Sequence, residues 1–492
     1  MVNKAIYVGF QFSVGHLVSS DWERKLFQKL RDERNMKIIH NSIFLSIFLF
    51  FQPAYSEASF SSDRLAPPLN ASDLPEVKTL THHGITWTFA SPSRIGRFVN
   101  GDYYVIGPVM ITAVDPPPVQ GRNGSVINLS PNPRRSGFDH RVKGGRFDPS
   151  LRANPPFRMN PGDSLISTIS FDEIGKTGRV LRPREPTISP VRSAAVLTCL
   201  AEPVLGDAFR PSYSSSSRKT IYYSRNLRRH LLPRLPKPDN APNIKEYAAY
   251  FERPWIDALK FNFDAPAEYM PDYGREIARL TAMAALLLCL DFPQEEKETL
   301  LIRFVQYGID LSGLIQAGHP GWPAHGGHGN GRKLPILLAG LLLHEPRLLS
   351  PQAMFSEDMQ TMYGSGWTGA KALYAGHVGK DGRADQVGWG AYEHLQPKEW
   401  PSTIGEDYRR CCTSIAWVGT ALAARMLGLE TTWRHPPFFD YVHRWMTEDD
   451  EPFLEIIEKQ IGKSYRASWA RQGQAWDPFV ENLFRSYWRA GE

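Results

Sequence analysis

The sequence predicts a mainly α protein: a helical C-terminal domain, arranged as a bundle or closed (α/α) toroid, preceded by an all-β, sandwich-like N-terminal domain. Three observations carry this prediction. From about Val77 to Tyr223 apolar residues alternate as in strands, the period turns helical beyond residue 243, and the proline-rich stretch Pro233–Pro242 divides the two. A chain of 492 residues exceeds one small core, and 42% hydrophobic with 22% charged residues excludes disorder on a large scale.

Taken in chain order, residues 36–56 read as a signal peptide. Lys37 supplies a positive start, Ile43–Phe51 an apolar run and Ala54-Tyr55-Ser56 a small-residue cleavage site. The run is short of the roughly 20 apolar residues that span a bilayer. Residues 1–35 then fall upstream of the expected start, and 57–76, rich in Ser and Pro, read as a linker. The expectation is a secreted or periplasmic chain with no membrane span after cleavage. Its formal charge of +6 falls to about +3 once residues 1–56, with seven basic and four acidic side chains, are set aside. Basic residues such as Arg225, Arg228 and Arg229 stand in no recognisable nucleic-acid motif. A mildly basic exported chain suits an acidic glycan as its partner.

The β domain is assigned to residues 77–232. Ile85–Phe89 alternates, Tyr103–Ile106 and Val109–Thr112 are strand-like, Asn100-Gly101-Asp102 marks a hairpin, and Val191–Leu200 reads as a buried strand. Pro, Gly, Asn and Arg between Pro116 and Pro161 predict long loops.

The helical domain is assigned to residues 243–492. Expected helices run over Arg275–Leu290 with Asp272 as N-cap, Gln294–Leu314, the apolar Lys333–Leu343, Ser414–Leu427, Glu451–Ile461 and Pro478–Trp488. Cys289 falls within an apolar helical run, as a buried small hydrophobe does. The adjacent Cys411 and Cys412 would bridge each other only with strain, so a bridge from Cys199 to one of them is the pairing open to an exported chain.

The densest polar feature is His319-Pro-Gly-Trp322-Pro-Ala-His325-Gly-Gly-His328-Gly-Asn330-Gly-Arg332-Lys333. Five glycines between 321 and 331 let the backbone fold tightly around a ligand, and the loop leads into the N-terminus of an apolar helix, where anions are favoured. His325 and His328 have a spacing compatible with a metal, but the HExxH pattern is absent and glycines separate them. The preferred reading is therefore cofactor-free, with histidine as base or charge neutraliser toward an anionic sugar. A second constellation, Glu406-Asp407-Tyr408-Arg409-Arg410-Cys411-Cys412, places a phenol able to pass a proton beside two guanidinium groups able to hold a carboxylate by paired bonds. Asn262, Glu268, Tyr269, Tyr273 and Arg275 are candidates for lining a cleft, as are His377, Gln386, Tyr392, Glu393 and His394. Eleven of the 13 tryptophans follow residue 250, and Trp322, Trp367, Trp389 and Trp400 in loops are candidate platforms for sugar rings.

A helical domain with a Gly/His/Asn-rich loop and a separate Arg/Tyr motif resembles the α/α-toroid polysaccharide lyases, especially those acting on alginate or glucuronan, over roughly residues 245–490. The resemblance implies β-elimination at a uronic acid. Asn330 and Arg409 (or Arg332) would neutralise the carboxylate, while His328 or His325 and Tyr408 would act as base and acid. Arg332, Lys333, Trp322, His319, Arg410, Tyr273, Arg275 and Trp389 would bind substrate. Two other functions compete with it. One is an α/α-barrel glycoside hydrolase drawing paired carboxylates from Asp264, Glu268, Asp385, Glu393, Glu406 and Asp407. The other is a non-catalytic glycan-binding protein of the cell envelope.

Overall fold

The computed structural model describes residues 70–174, 188–214, 220–376, 392–400, 402–467 and 471–488. The expected signal peptide, and with it Trp389, His377, Gln386 and Asp385, lies outside the described residues.

The fold is mixed rather than mainly α, with 38% helix and 19% strand, and the N-terminal strands form one curled half-barrel sheet rather than a sandwich. Eight strands build it: β1 (Glu76–His82), β2 (Ile85–Arg97), β3 (Tyr103–Ile106), β4 (Val109–Asp115), β5 (Ser125–Ile127), β6 (Phe157–Met159), β7 (Ser164–Ser170) and β8 (Val191–Leu200). Their order is β5-β7-β8-β3-β2-β4-β6, with β1 beside β2. The 13-residue β2 serves two neighbourhoods. Its first half lies between β1 and β4, and Ile95–Arg97 pairs with β3.

Burial of β7 and β8 explains why no second sheet is needed. Ile85, Trp87, Phe89, Leu165, Ala195, Leu197 and Cys199 pack together inside the curl. Their alternating neighbours Ile166, Ala194 and Val196 face the other way, into the core made by the helices. A strand covered on both faces reads as a continuous apolar run, as Val191–Leu200 does. The helices therefore stand where the second sheet of a sandwich was expected.

Helices of seven residues or more are α1 (Ile244–Tyr250), α2 (Gly274–Leu288), α3 (Gln294–Gln316), α4 (Lys333–Leu343), α5 (Ser414–Met426), α6 (Pro436–Thr447), α7 (Glu451–Ile461) and α8 (Pro478–Tyr487). Side-chain caps open two of them. Asn243 and Asp477 each accept a backbone N–H at the start of α1 and α8. Asp272 does not cap α2, whose N-cap is Tyr273, because its carboxylate accepts from the Ile188 N–H at 2.8 Å. α3 packs on α4, and α2 on α5. Gly308 permits the first of these approaches, since a β-carbon there would run into the Pro335 carbonyl.

Between α3 and α5, on either side of α4, the expected helical hairpins give way to short elements. β9 (Gly321–Trp322) pairs in parallel with β10 (Met354–Phe355), and β11 (Thr361–Tyr363) pairs antiparallel with β12 (Ala372–Tyr374). Trp433 to Tyr441 behaves as a helix-start packing motif, with Trp433 stacked on Phe438 at 5.0 Å. Cysteine pairing differs from expectation. Cys411 and Cys412 bridge each other, and Cys199 and Cys289 are free and buried. Cys199 points into the sheet core, away from any partner thiol.

Candidate functional site

The loop from His319 to Lys333 joins α3 to α4, and its side chains divide into two sets. The inward set begins with Arg332, fully buried, which grips Asp257 through Nε at 2.8 Å and Nη2 at 3.0 Å. The same guanidinium donates to the Asn262 side chain at 2.7 Å and to the backbone carbonyls of His328 and Asn330. Tyr307 also donates to Asp257 at 2.9 Å. Lys333 is buried against Asp358 and the Trp433 carbonyl. Burial pushes its pKa down, against the pull of Asp358. His319 contacts the Ala258 carbonyl at 3.0 Å and accepts from the Gly321 N–H, and burial lowers its pKa. Asn330 is wholly buried and donates to the Cys412 carbonyl at 3.1 Å.

The outward set is His325 and His328, both half-buried. Their rings lie 5.9 Å apart, and Phe261 packs on both, at 4.7 Å and 4.8 Å between centroids. Tyr273 meets His328 edge-on at 4.6 Å, and its hydroxyl accepts from the Gly327 N–H. Glycine is required here for close packing. A β-carbon at Gly326, where φ is +55°, would collide with the Tyr408 ring, and one at Gly327 would meet the Cys412 carbonyl and the Tyr273 ring.

His328 forms part of the wall of a cavity of ≈ 170 Å³, whose lining also includes Phe261, Lys260, Arg134, Trp322 and His319. Arg134 comes from the sheet-side loop, joined to this region by the Lys260 N–H to Pro133 carbonyl bond at 2.8 Å. Trp322 is nearly buried, its indole donating to the Asp257 carbonyl at 3.1 Å. Phe261 and Asn262 are both left-handed, with φ of +72° and +56°. A bulky side chain in that region is a rare, strained choice that clusters at functional sites. The Lys260 ammonium lies 4.8 Å from the Phe261 ring centre. The wall thus combines imidazole, two cations and flat apolar rings.

The second predicted constellation also separates. Tyr408 is half-buried against Gly326. Arg409 and Arg410 are buried and face the interior. Arg409 donates to Tyr441 at 2.9 Å and pairs with Glu406 at 3.2 Å, and Arg410 pairs with Glu406 and with Asp450 at 2.5 Å. Burial opposes ionisation of Glu406, but Arg410 and then Arg409 hold its pKa down to about 2. These arginines act as internal counter-ions. Arg275 is half-buried between the two constellations, ion-paired to Glu276 at 2.6 Å and donating to the Cys411 carbonyl at 3.3 Å.

Carboxylates considered for hydrolysis are engaged elsewhere. Glu393 pairs with Arg444 at 2.9 Å, Asp407 with Lys463 at 2.5 Å and Glu268 with Arg253 at 2.9 Å. Asp264 is buried, and that burial pushes its pKa up to about 6.

Phe261, Lys260, Arg134 and Asp257 were not singled out from the sequence. Asn262 was, as a polar residue in an aromatic segment, and that segment was the only available signal for its neighbour Phe261. The chain matches no protein-family model, no curated protein and no solved structure.

Proposed function

We propose that this chain is a polysaccharide lyase acting on an anionic, uronate-type glycan, with the His325–His328 loop as its proton-transfer centre. One observation carries the reading: His328 stands in the wall of a cleft that also presents Lys260, Arg134 and the Phe261 ring. An imidazole beside fixed positive charge suits removal of a proton α to a carboxylate, because the cations stabilise the charge that develops as the proton leaves. In this scheme His328 takes the C5 proton and Lys260 with Arg134 faces the sugar carboxylate. The C4–O4 bond breaks, and His325 or Tyr408 returns a proton to the departing oxygen. Asn330 and Arg409 are replaced as carboxylate neutralisers, since both are committed to internal partners. Arg332 and Asp257 act as positioning residues that hold the backbone of the loop.

The test is incubation with alginate, glucuronan, pectate and glycosaminoglycans while following ultraviolet absorbance of the unsaturated uronate. Elimination makes a double bond conjugated to the carboxylate. The expected result is a rise on at least one polymer, lost in His328→Gln. New reducing ends without that absorbance would replace elimination by hydrolysis, and no product on any polymer would overturn the enzymatic reading.

A further inference from the structure

Far along the chain from the histidine loop, the turn joining β1 to β2 carries His82 and His83 side by side. His83 has φ of +50° and Gly84 of +78°, and His82 pairs across to Ile85. Two left-handed residues closing a two-residue hairpin are the pattern for which Asn-Gly is favoured. Histidine in the first position bears a steric cost that Asn tolerates better. Its ring is turned into the protein, where Nε2 is buried and has no hydrogen-bond partner among the described residues. The two imidazoles lie 3.7 Å apart between centroids.

Asp102, from the β2–β3 hairpin, completes the group. Its Oδ2 is occupied by Arg210 Nε at 2.6 Å and Asn100 Nδ2 at 2.8 Å, and its Oδ1 faces His82 Nε2 at 3.2 Å. One ligand atom from each of His82, His83 and Asp102 falls within 4.8 Å of the other two. Buried Arg210 is shared by two carboxylates, Asp102 and Asp310, with Asp310 Oδ2 at 2.5 Å from Nη2. One negative charge is left over in that trio; of the nearby arginines, Arg303 pairs with Glu252, and Arg253 shares Glu268 with Arg192.

We infer that His82, His83 and Asp102 form a binding site for a divalent transition-metal ion, zinc in the first instance. Two imidazoles and one carboxylate suit zinc and its neighbours over calcium or magnesium, which prefer all-oxygen shells. Ligand distances of about 2.0–2.2 Å require only that the three side chains converge from their present separation. The fourth position is left to water. The ion would join the β1–β2 turn to the β2–β3 hairpin and, through Arg210 and Asp310, to α3. The site is independent of the proposed reaction.

The test uses the full chain stripped with a chelator and dialysed, then titrated with zinc chloride by calorimetry and with magnesium chloride as comparison. Expected is one zinc per chain, a higher unfolding midpoint with zinc, and no such effect of magnesium. His83→Gln and, separately, His82→Gln should weaken zinc binding by more than the roughly 10- to 100-fold that loss of an outer partner costs. His328→Ala and the surface variant His140→Ala should bind as the parent does. Should His83→Gln fail to fold, His82→Gln decides. Failure of the parent to bind zinc at micromolar concentration overturns the inference. So does zinc binding that survives both histidine substitutions, or that is lost in His328→Ala.

Discussion

Arg332 and Asp257 form a fully buried, two-bond ion pair, and the same guanidinium holds the carbonyls of His328 and Asn330. The backbone of the histidine loop is therefore fixed from beneath by a charge that never reaches solvent. Asp257→Asn leaves Arg332 without its counter-charge, and breaking such a pair costs about 3–5 kcal/mol. Denaturant unfolding should show that loss, and Arg332→Lys should show a comparable one because an ammonium cannot span Asp257 and both carbonyls.

His328→Gln is expected to lower kcat by roughly 10²–10⁴, the contribution of a positioned acid or base, with a change in unfolding midpoint far smaller than that of Asp257→Asn. Kinetics on the polymer found by the absorbance screen, paired with thermal unfolding, separates chemistry from stability.

Lys260→Ala and Arg134→Ala should raise KM more than they lower kcat, and the KM of the parent should rise with ionic strength. Both cations line the cleft, and loss of a charge-assisted hydrogen bond costs about 1.5–3 kcal/mol. Steady-state kinetics across a salt series checks both.

Gly326→Ala is expected to destabilise the protein by about 1–3 kcal/mol and to displace Tyr408, because a β-carbon there meets that ring at a positive φ. Loss of activity should accompany it, whereas Gly318→Ala, with open space around its β-carbon, should bear only the backbone cost of its own positive φ.

A pH signature follows from Glu357, which is buried behind the loop and accepts from the Gly331 N–H at 2.6 Å. Burial pushes its pKa from 4.5 up to about 7. The folded state then binds more protons than the unfolded state between those values, so this residue makes stability fall as pH rises through that window. Glu357→Gln removes the contribution, and the difference between parent and variant should change between about pH 4.5 and about pH 7 and be flat outside it. Urea titrations at a series of pH values measure that difference.

Local pattern located many elements closely. Tyr103–Ile106, Val191–Leu200, Lys333–Leu343 and Glu451–Ile461 occupy the spans their periodicity predicts. What periodicity cannot carry is the identity of the covering layer. The apolar run of β8 reports that both faces are buried, and a second sheet or a set of helices would satisfy it equally. The site was legible in the same partial way. Concentration of polar residues marked the right loop, but Arg332, Lys333, Asn330, Arg409 and Arg410 owe their polar character to internal partners distant in sequence, such as Asp257, Asp358 and Asp450. Phe261 was marked only by the aromatic segment it belongs to, and nothing in that segment foretold its left-handed backbone. The bridge between Cys411 and Cys412 was discounted on local geometry. Their turn, Arg409–Thr413, is a π-type one between two helical segments whose carbonyls serve Arg275 and Asn330.

The strand β8 carries a consequence for how this architecture can be altered. Since Ala195, Leu197 and Cys199 serve the sheet interior while Ala194 and Val196 serve the helical interior, the strand is a party wall. Neither half is a cassette that can be grafted alone onto a foreign partner. Recombination near Pro233–Pro242 would strip one side of that wall, and a transplanted helical half would have to bring β7 and β8 with it.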